Sequence, residues 1–282
     1  MARCVIRQAK ASADDAVRLK ALEAATLGDS DLSAAEMRAV LARPEQRVYL
    51  AEAGAVAVGL LATFETAAPA GRRLELDMLG VAEGWRGRGI AAALVAQAIA
   101  DARERGIRSF RAIVAVDNAA SLAVFRRAGL RAWGDVCDML TYGIQGTAPQ
   151  SYLPAGWREV VLSGPAPNAS EWPASLLAYH GLPGYSLVLL RDEQGRPVGG
   201  AALLTVHTIA YSGIWIEAYQ GRDRTALRAV ARAAVEQAKT TGLDEVGLLL
   251  DSSEDRGVYW AMAGEGYQRA GQYHRLERHE PV

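Results

Sequence analysis

Apolar residues recur along this chain at two spacings, and the order in which the spacings alternate predicts its elements. Cys4 to Arg7, Arg47 to Thr66 on either side of a turn at Gly54, and Leu74 to Val81 read as strands. Leu94, Val95, Ala98, Ile99 and Ala102 fall on one helical face, so Ile90 to Arg105, closed by Gly106, reads as a helix. Ser33-Ala34-Ala35-Glu36 has the spacing of a capping box and opens a helix ending near Arg43-Pro44. A strand from Ile107 to Val116 and a helix ending at Ala128-Gly129-Leu130 follow. The order is strand, two helices, three strands, helix, strand, helix, two strands. That order predicts an α/β fold of the α+β kind: a mixed, mainly antiparallel, twisted sheet flanked by helices on both faces.

The pattern then repeats. Ser186 to Thr208 again reads strand, turn at Gly195, strand, and Val198-Gly199 follows Val58-Gly59 by 140 residues. Further on the offset falls to 136: Ala226 to Thr241, closed by Gly242, matches the helix closed by Gly106, and Leu243 to Asp251 matches Ile107 to Val116. Glu265-Gly266-Tyr267 matches Ala128-Gly129-Leu130, and Gly156 to Val161 supplies an opening strand. Four residues are therefore lost ahead of the second long helix. Between the copies, Gly143 to Pro173 holds Pro149, Pro154, Pro165, Pro167 and Pro173, a linker composition. Two tandem domains are expected, over residues 1–145 and 152–282.

Composition changes this picture only by exclusion. Of 282 residues 50% are apolar and 22% charged, as in ordinary globular chains. With 31 basic against 32 acidic side chains the net charge is -1, which argues against nucleic acid or an anionic membrane as the main partner. Cys4 and Cys137 are the only thiols, and His180, His207, His274 and His279 form no pair with zinc-ligand spacing, so no metal is expected. Met1 to Lys20 has no signal-peptide core and no apolar run reaches membrane-spanning length, so the expected address is the cytoplasm. Monomer and homodimer stay open.

The chemistry points to one junction. Leu74 to Val81 runs into Gly84-Trp85-Arg86-Gly87-Arg88-Gly89-Ile90-Ala91 and then into the long helix. A helix start leaves amides without intrahelical partners at the positive end of a dipole, and Arg86 and Arg88 add charge beside them. Such a loop suits a diphosphate, although a glycine turn that merely closes the corner has the same composition. With 28 glycines in the chain, a pair at this spacing arises by chance roughly three times, so context must decide. The Walker pattern fails because Ile90 and Ala91 stand where Lys and Ser or Thr belong. The dinucleotide pattern fails because Asp101 and Glu104 sit on the helix and not at the end of the next strand.

These residues resemble the GCN5-related N-acetyltransferases. Arg86-Gly87-Arg88-Gly89-Ile90-Ala91 fits that family's Q/R-x-x-G-x-G/A signature, and Asn118 to Leu130 resembles its second block, N-x-x-A/S-x-x-x-Y-x-x-x-G-F. The likeness covers residues 3 to 142 well and the remainder as a worn copy. It implies acetyl-CoA as cosubstrate, with the pyrophosphate on Arg86, Gly87, Arg88, Gly89, Ile90 and Ala91. The pantetheine arm would lie like an added strand beside Leu79, Gly80 and Val81, and near Asn118, Ser121 and Phe125. The Leu79 amide would face the thioester oxygen. Asn118 would hold the arm or start a helix, since Asp117-Asn118 is also a good N-cap.

An amine acceptor needs a base, because a lysine-like amine with pKa near 10.4 is protonated at neutral pH. Glu75 and Asp77 share one strand face, and Glu75 lies where histone-type members of the family carry their base. They also read as solvated carboxylates near a strand end, or as recognising a cationic substrate. Phe125 departs from the family's tyrosine and cannot protonate a leaving thiolate, with Tyr142 as a weak substitute. In the second copy Arg222-Asp223-Arg224-Thr225 replaces the loop, both glycines are gone, and little or no CoA binding is expected. Of its 16 tyrosines and tryptophans, the chain carries 12 after residue 150, among them Trp215, Tyr219, Tyr259 and Trp260, suited to a core, a substrate wall or an interface. The expected activity is acetyl transfer from acetyl-CoA to a primary amine of a small molecule or peptide. The rival expectation is a non-catalytic acyl-CoA sensor or scaffold.

Overall fold

The computed structural model of the protein describes residues 4–28, 30, 32–144, 153–161, 171–251 and 256–281. The boundary expected between 145 and 152 lies outside them. The first copy runs β1 (Val5–Gln8), α1 (Ala13–Thr26), α2 (Ala34–Leu41), β2 (Gln46–Ala53), β3 (Val56–Ala68), β4 (Gly71–Val81), α3 (Ile90–Glu104), β5 (Ser109–Ala115), α4 (Ala119–Arg127), β6 (Arg131–Ala132) and β7 (Cys137–Gly143). This is the order that the apolar spacing predicts. The second copy runs β8 (Arg158–Val161), α5 (Ala174–Leu177), β9 (Tyr185–Arg191), β10 (Pro197–His207), β11 (Ser212–Gly221), α6 (Arg224–Thr241), β12 (Glu245–Asp251), α7 (Arg256–Ala263) and β13 (Gln268–His279). The four-residue α5 stands where the first copy has α1 and α2.

Two compact units are present, and they do not follow chain order. One comprises Met1–Gly134, His207–Tyr211 and Tyr273–Val282; the other comprises Asp135–Val206 and Ser212–Gln272. The first unit's strands lie in the order β1-β2-β3-β4-β5-β13, antiparallel except for the parallel pair β4 and β5. The second unit's lie in the order β8-β9-β10-β11-β12-β7, with β11 and β12 parallel. One topology thus occurs twice, and each copy is finished by the last strand of the other. His279 pairs with Ser109 and Tyr273 with Ala115 in the first unit, while Gly143 pairs with Glu245 and Cys137 with Asp251 in the second.

Two apolar layers flank the first unit's sheet. On one face Leu94, Val95, Ala98 and Ile99 of α3 and Leu122 and Phe125 of α4 cover Leu61, Leu74, Leu76, Phe110 and Leu276. On the other, Leu19 and Leu22 of α1 and Met37 and Val40 of α2 cover Leu50, Leu60 and Ala62. Ser12 caps α1 through the Asp15 amide, and Ser33 with Glu36 forms the expected capping box on α2. The loop between β10 and β11 adds Ile209, fully buried in this second layer, and Gln46 donates to the His207 carbonyl. In the second unit, α6 lays nine buried residues over β10, β11 and β12. No helix among the described residues is long and apolar enough to cross a membrane.

Leu276 is fully buried opposite Ala112, and Arg278, 150 positions after Ala128, donates to the Ala128 carbonyl, so the first unit's core depends on β13. Leu276→Ala should therefore cost about 2–5 kcal/mol in urea denaturation. A cost within about 0.5 kcal/mol would show that β13 is dispensable to that core.

Candidate active site

β4 pairs with β5 through only three positions, Arg73 with Ser109, Leu74 with Phe110 and Glu75 with Arg111. Both strands continue, β4 to Val81 and β5 to Ala115, so they part beyond Glu75. The cause is visible on β4's other side. There Ala62 pairs with Met78 and Thr63 with Leu76, leaving Asp77 as a bulge residue with no partner in β3. An extra residue bends and twists the strand that carries it. Past the bulge, Leu79 and Val81 pack toward the α3 layer, and Met78 toward the α1 and α2 layer. Gly80 meets α1 so closely that a Cβ there would stand 2.3 Å from Thr26 Oγ1. Glycine is required by that approach.

The loop after β4 ends in an uncapped helix. Gly87 and Gly89 have φ of +74° and +80°, left-handed conformations that side chains disfavour. A Cβ at either position would meet nothing within 4 Å, so both glycines border open space. Arg86 Nε donates to the Val81 carbonyl at 3.0 Å, and Arg88 Nη2 to the Gly84 carbonyl at 2.9 Å while stacking 4.7 Å above the Trp85 ring. Both arginines thus brace the loop and keep exposed charge beside it. No side chain caps α3, whereas α1, α2, α4 and α6 are capped by Ser12, Ser33, Asn118 and Asp223. The first amides of α3, at Ile90 and Ala91, are left to solvent or to an anion.

Glu75 is not the open carboxylate the strand pattern suggests. It is 5% exposed; Oε1 accepts from Arg73 Nε at 2.6 Å and Thr66 Oγ1 at 3.1 Å, and Oε2 from Arg111 Nε at 2.8 Å. Its oxygens are engaged in fastening β4 to β5 at the point of divergence. This corrects the expectation of a base at that position. Asp77 differs. The residue keeps some surface, but Oδ2 has neither solvent nor a hydrogen-bond partner. Burial, and after it the charge of Glu75, pushes its carboxyl up to about 7.

The second block is folded as helix and core. Asn118 Oδ1 accepts from the Ser121 amide at 3.0 Å, so the N-cap alternative holds for that oxygen. Phe125, 3% exposed, packs with the α3 layer, where a phenyl ring needs no hydroxyl partner. Tyr142 lies in the second unit, its ring 5.5 Å from that of Tyr267. Thr66, Arg73 and Arg111 escaped the sequence reading. Arg73-x-Glu75 on one strand face was a usable signal, but nothing local marks Arg111, 36 residues on.

The second unit keeps the strand divergence but not the loop. β11 and β12 pair from Gly213 to Ile216, then part. Only Arg222 and Asp223 separate β11 from α6, where residues 82–89 separate β4 from α3. Asp223 accepts from the Ala226 amide at 2.9 Å, and Arg222 is held by Asp192 and Asp223. Among the described residues no group of three or more His, Cys, Asp or Glu could hold a metal ion.

Residues 17–130 match the family model described as Acetyltransferase (GNAT) family. No curated protein matches the sequence significantly. Among solved structures, a tandem GNAT protein from the clavulanic acid biosynthesis pathway, without AcCoA, is similar over 99% of this chain and 100% of its own, with TM-score 0.58 and 16% identity. A GCN5-related N-acetyltransferase from Sphaerobacter thermophilus is similar over 99% of this chain and 97% of its own, with TM-score 0.61 and 17% identity. At these identities the likeness is one of fold, and it extends through both copies.

A carboxyl at about 7 when folded and near 3.9 when unfolded binds more protons in the fold across that interval, so its contribution to stability falls as pH rises from about 4 to 7. Asp77→Asn should therefore raise Tm at pH 8 by several degrees and by much less at pH 4. Thermal melts showing the same difference at both pH values would contradict this origin.

Proposed function

From the match of residues 17–130 to the acetyltransferase (GNAT) family model, we propose that the protein transfers an acetyl group from acetyl-CoA to a primary amine, with the first copy as its catalytic half. The uncapped start of α3 carries this reading: free amides, left-handed glycines and two braced arginines fit a diphosphate. The open edge of β4 from Leu76 to Val81 fits an extended arm that adds as a strand. Bound acetyl-CoA supplies the acetyl group as an activated thioester. The residues expected around it are Leu79, Gly80 and Val81 on the strand, Arg86 to Ala91 on the loop, and Asn118 and Ser121 across the gap.

Two groups of this chain act on the reacting atoms. The Leu79 amide is assigned to the thioester oxygen, as a donor already in place where negative charge develops. Asp77 is assigned the amine's proton. Taking a proton from an ammonium near 10.4 costs about 9 kcal/mol with an ordinary carboxylate near 3.9, but about 4.6 kcal/mol with one at about 7. The bulge thus halves the cost of the step that frees the nucleophile. CoA thiol has an ordinary pKa near 8.5 and leaves as a thiolate without a dedicated acid, which accommodates Phe125. The second copy is assigned no cofactor, since Asp223 already satisfies the start of α6.

Calorimetry should find one CoA site per chain, abolished by Gly89→Asp; a site that survives the substitution would move the cofactor elsewhere. With a turned-over amine, kcat should rise through an apparent pKa near 7. Asp77→Asn should lower kcat about 10²–10⁴-fold and remove that limb. The rival reading, a non-catalytic acyl-CoA sensor, draws on the hydroxyl missing at Phe125. It predicts tight CoA binding with no acetyl transfer to any amine, peptide or aminoglycoside.

A further inference from the structure

In the first unit, β4, β5 and β13 carry a charged row on the face that looks away from α3. Phe110, Ala112 and Val114 of β5 and Leu276 of β13 belong to the α3 layer, so Arg111 and Ile113, with Arg275, Glu277 and His279, lie on the opposite face. Glu75, Arg111 and Glu277 are level across the three strands, Glu75 pairing with Arg111 and Arg111 with Glu277. Glu75 is bonded to Arg73 and Arg111, and Glu277 Oε2 lies 2.9 Å from His279 Nε2. Both carboxylates of that row are satisfied from within it.

The next level, two residues on, is left incomplete. Ile113 stands at its centre on β5, and Arg275 pairs with Ile113 from β13. Asp77 lies two residues past Glu75 on β4, close enough to Glu75 to feel its charge. Asp77 Oδ2 and Arg275 Nε are both buried, and neither has a hydrogen-bond partner. The contact between Arg275 Nε and Glu277 Oε1 spans 3.7 Å, too long for a hydrogen bond. Leaving a buried charged group unpaired is costly. Here an acid and a base are both left so, at one level, on either side of the strand that borders the opening. Neighbouring strands lie about 4.8 Å apart, so roughly 10 Å separates their Cα positions before the divergence widens the gap. The Arg275 side chain is 31% exposed, so a ligand can reach it.

We infer that the acceptor is an amine that also carries a carboxylate, of the amino acid class, with its nitrogen at Asp77 and its carboxylate on Arg275. This deepens the acyl-transfer reading and rests on it. An amino acid is a zwitterion at neutral pH, and its two charges match the two unpaired groups in sign. A guanidinium holds a carboxylate through two parallel hydrogen bonds, which fixes the direction of the ligand as well as its place. An α-amine, with an ordinary pKa near about 8, also gives up its proton more readily than a lysine-like amine. Asp77 takes one proton from the ammonium, the nitrogen bonds to the acetyl carbon as the carbon–sulfur bond breaks, and the second proton leaves with the thiol. Arg275 does not touch the reacting atoms; it is a specificity residue, supplied by the last strand of the chain.

The test compares the common free L-amino acids, their carboxamides and simple alkylamines as acceptors, by release of CoA thiol. The wild-type protein should acetylate at least one free amino acid with kcat/KM at least about tenfold above that for its carboxamide. Arg275→Gln should bring the two within about twofold, chiefly by raising KM for the amino acid, while calorimetry still finds one CoA site per chain. Arg275→Lys, which keeps the charge but not the fork, should fall between. A structural role alone would lower both acceptors together and leave their ratio intact. A wild type that prefers carboxamides or alkylamines, or an Arg275→Gln that keeps the wild-type ratio, overturns the assignment and leaves acyl transfer standing. CoA binding without transfer to any acceptor removes acyl transfer and this inference with it.

Discussion

β4 has one residue more than β3 can pair with, and the surplus is Asp77. A regular ladder would keep β4 and β5 together along their shared length and fill the gap with backbone hydrogen bonds. With the bulge, β4 turns away after Glu75 and leaves one edge unpaired over Leu76 to Val81. The same irregularity places a carboxylate oxygen where it finds neither water nor a donor. Opening and buried carboxyl thus have one origin. A buried unpaired carboxylate is costly, and a fold tolerates such a cost where the group has work to do. The Glu75 cluster is the counterpart: Arg73, Arg111 and Thr66 hold the divergence at one point, so the opening does not unzip toward the start of the strand.

The two copies differ most in who satisfies the amides at a helix start. A side-chain cap contributes about 0.5–2 kcal/mol. α6 takes that stabilisation from Asp223, and α3 forgoes it. Every other capped helix in the first copy uses a short polar residue of its own, at Ser12, Ser33 or Asn118, so the omission at Gly89 is specific to that junction. With the cap goes the loop: six fewer residues lie between strand and helix in the second copy, and its arginine is neutralised by Asp192 and Asp223.

Local signals carried much of this into the sequence. The capping box at Ser33, the apolar face of α3 and the glycine loop before it each depend on residues within a few positions of each other, and the repeat is the same order of such local signals met again 136 to 140 residues on. The bulge did not announce itself, because Leu74 to Val81 alternates well enough for a regular strand and the surplus is defined only against β3. Glu75 and Asp77 therefore looked equivalent. What separates them is Arg111, brought alongside by the parallel pairing of β5. The strand exchange was equally hidden: Cys137 to Gly143 and Tyr273 to His279 read alike as closing strands, and no property of either says which copy it closes.

The exchange also orders events in time. Ser109 meets its partner His279, 170 residues later in the chain. At a synthesis rate of about 5–20 residues per second, β5 spends roughly 10–30 s on the ribosome before that partner exists. During this interval Phe110 and Ala112 belong to a sheet with a bare edge, the kind of template that recruits foreign strands. A nascent chain of this protein is thus most vulnerable to aggregation in the half that emerges first. Its maturation is gated by the arrival of its last strand.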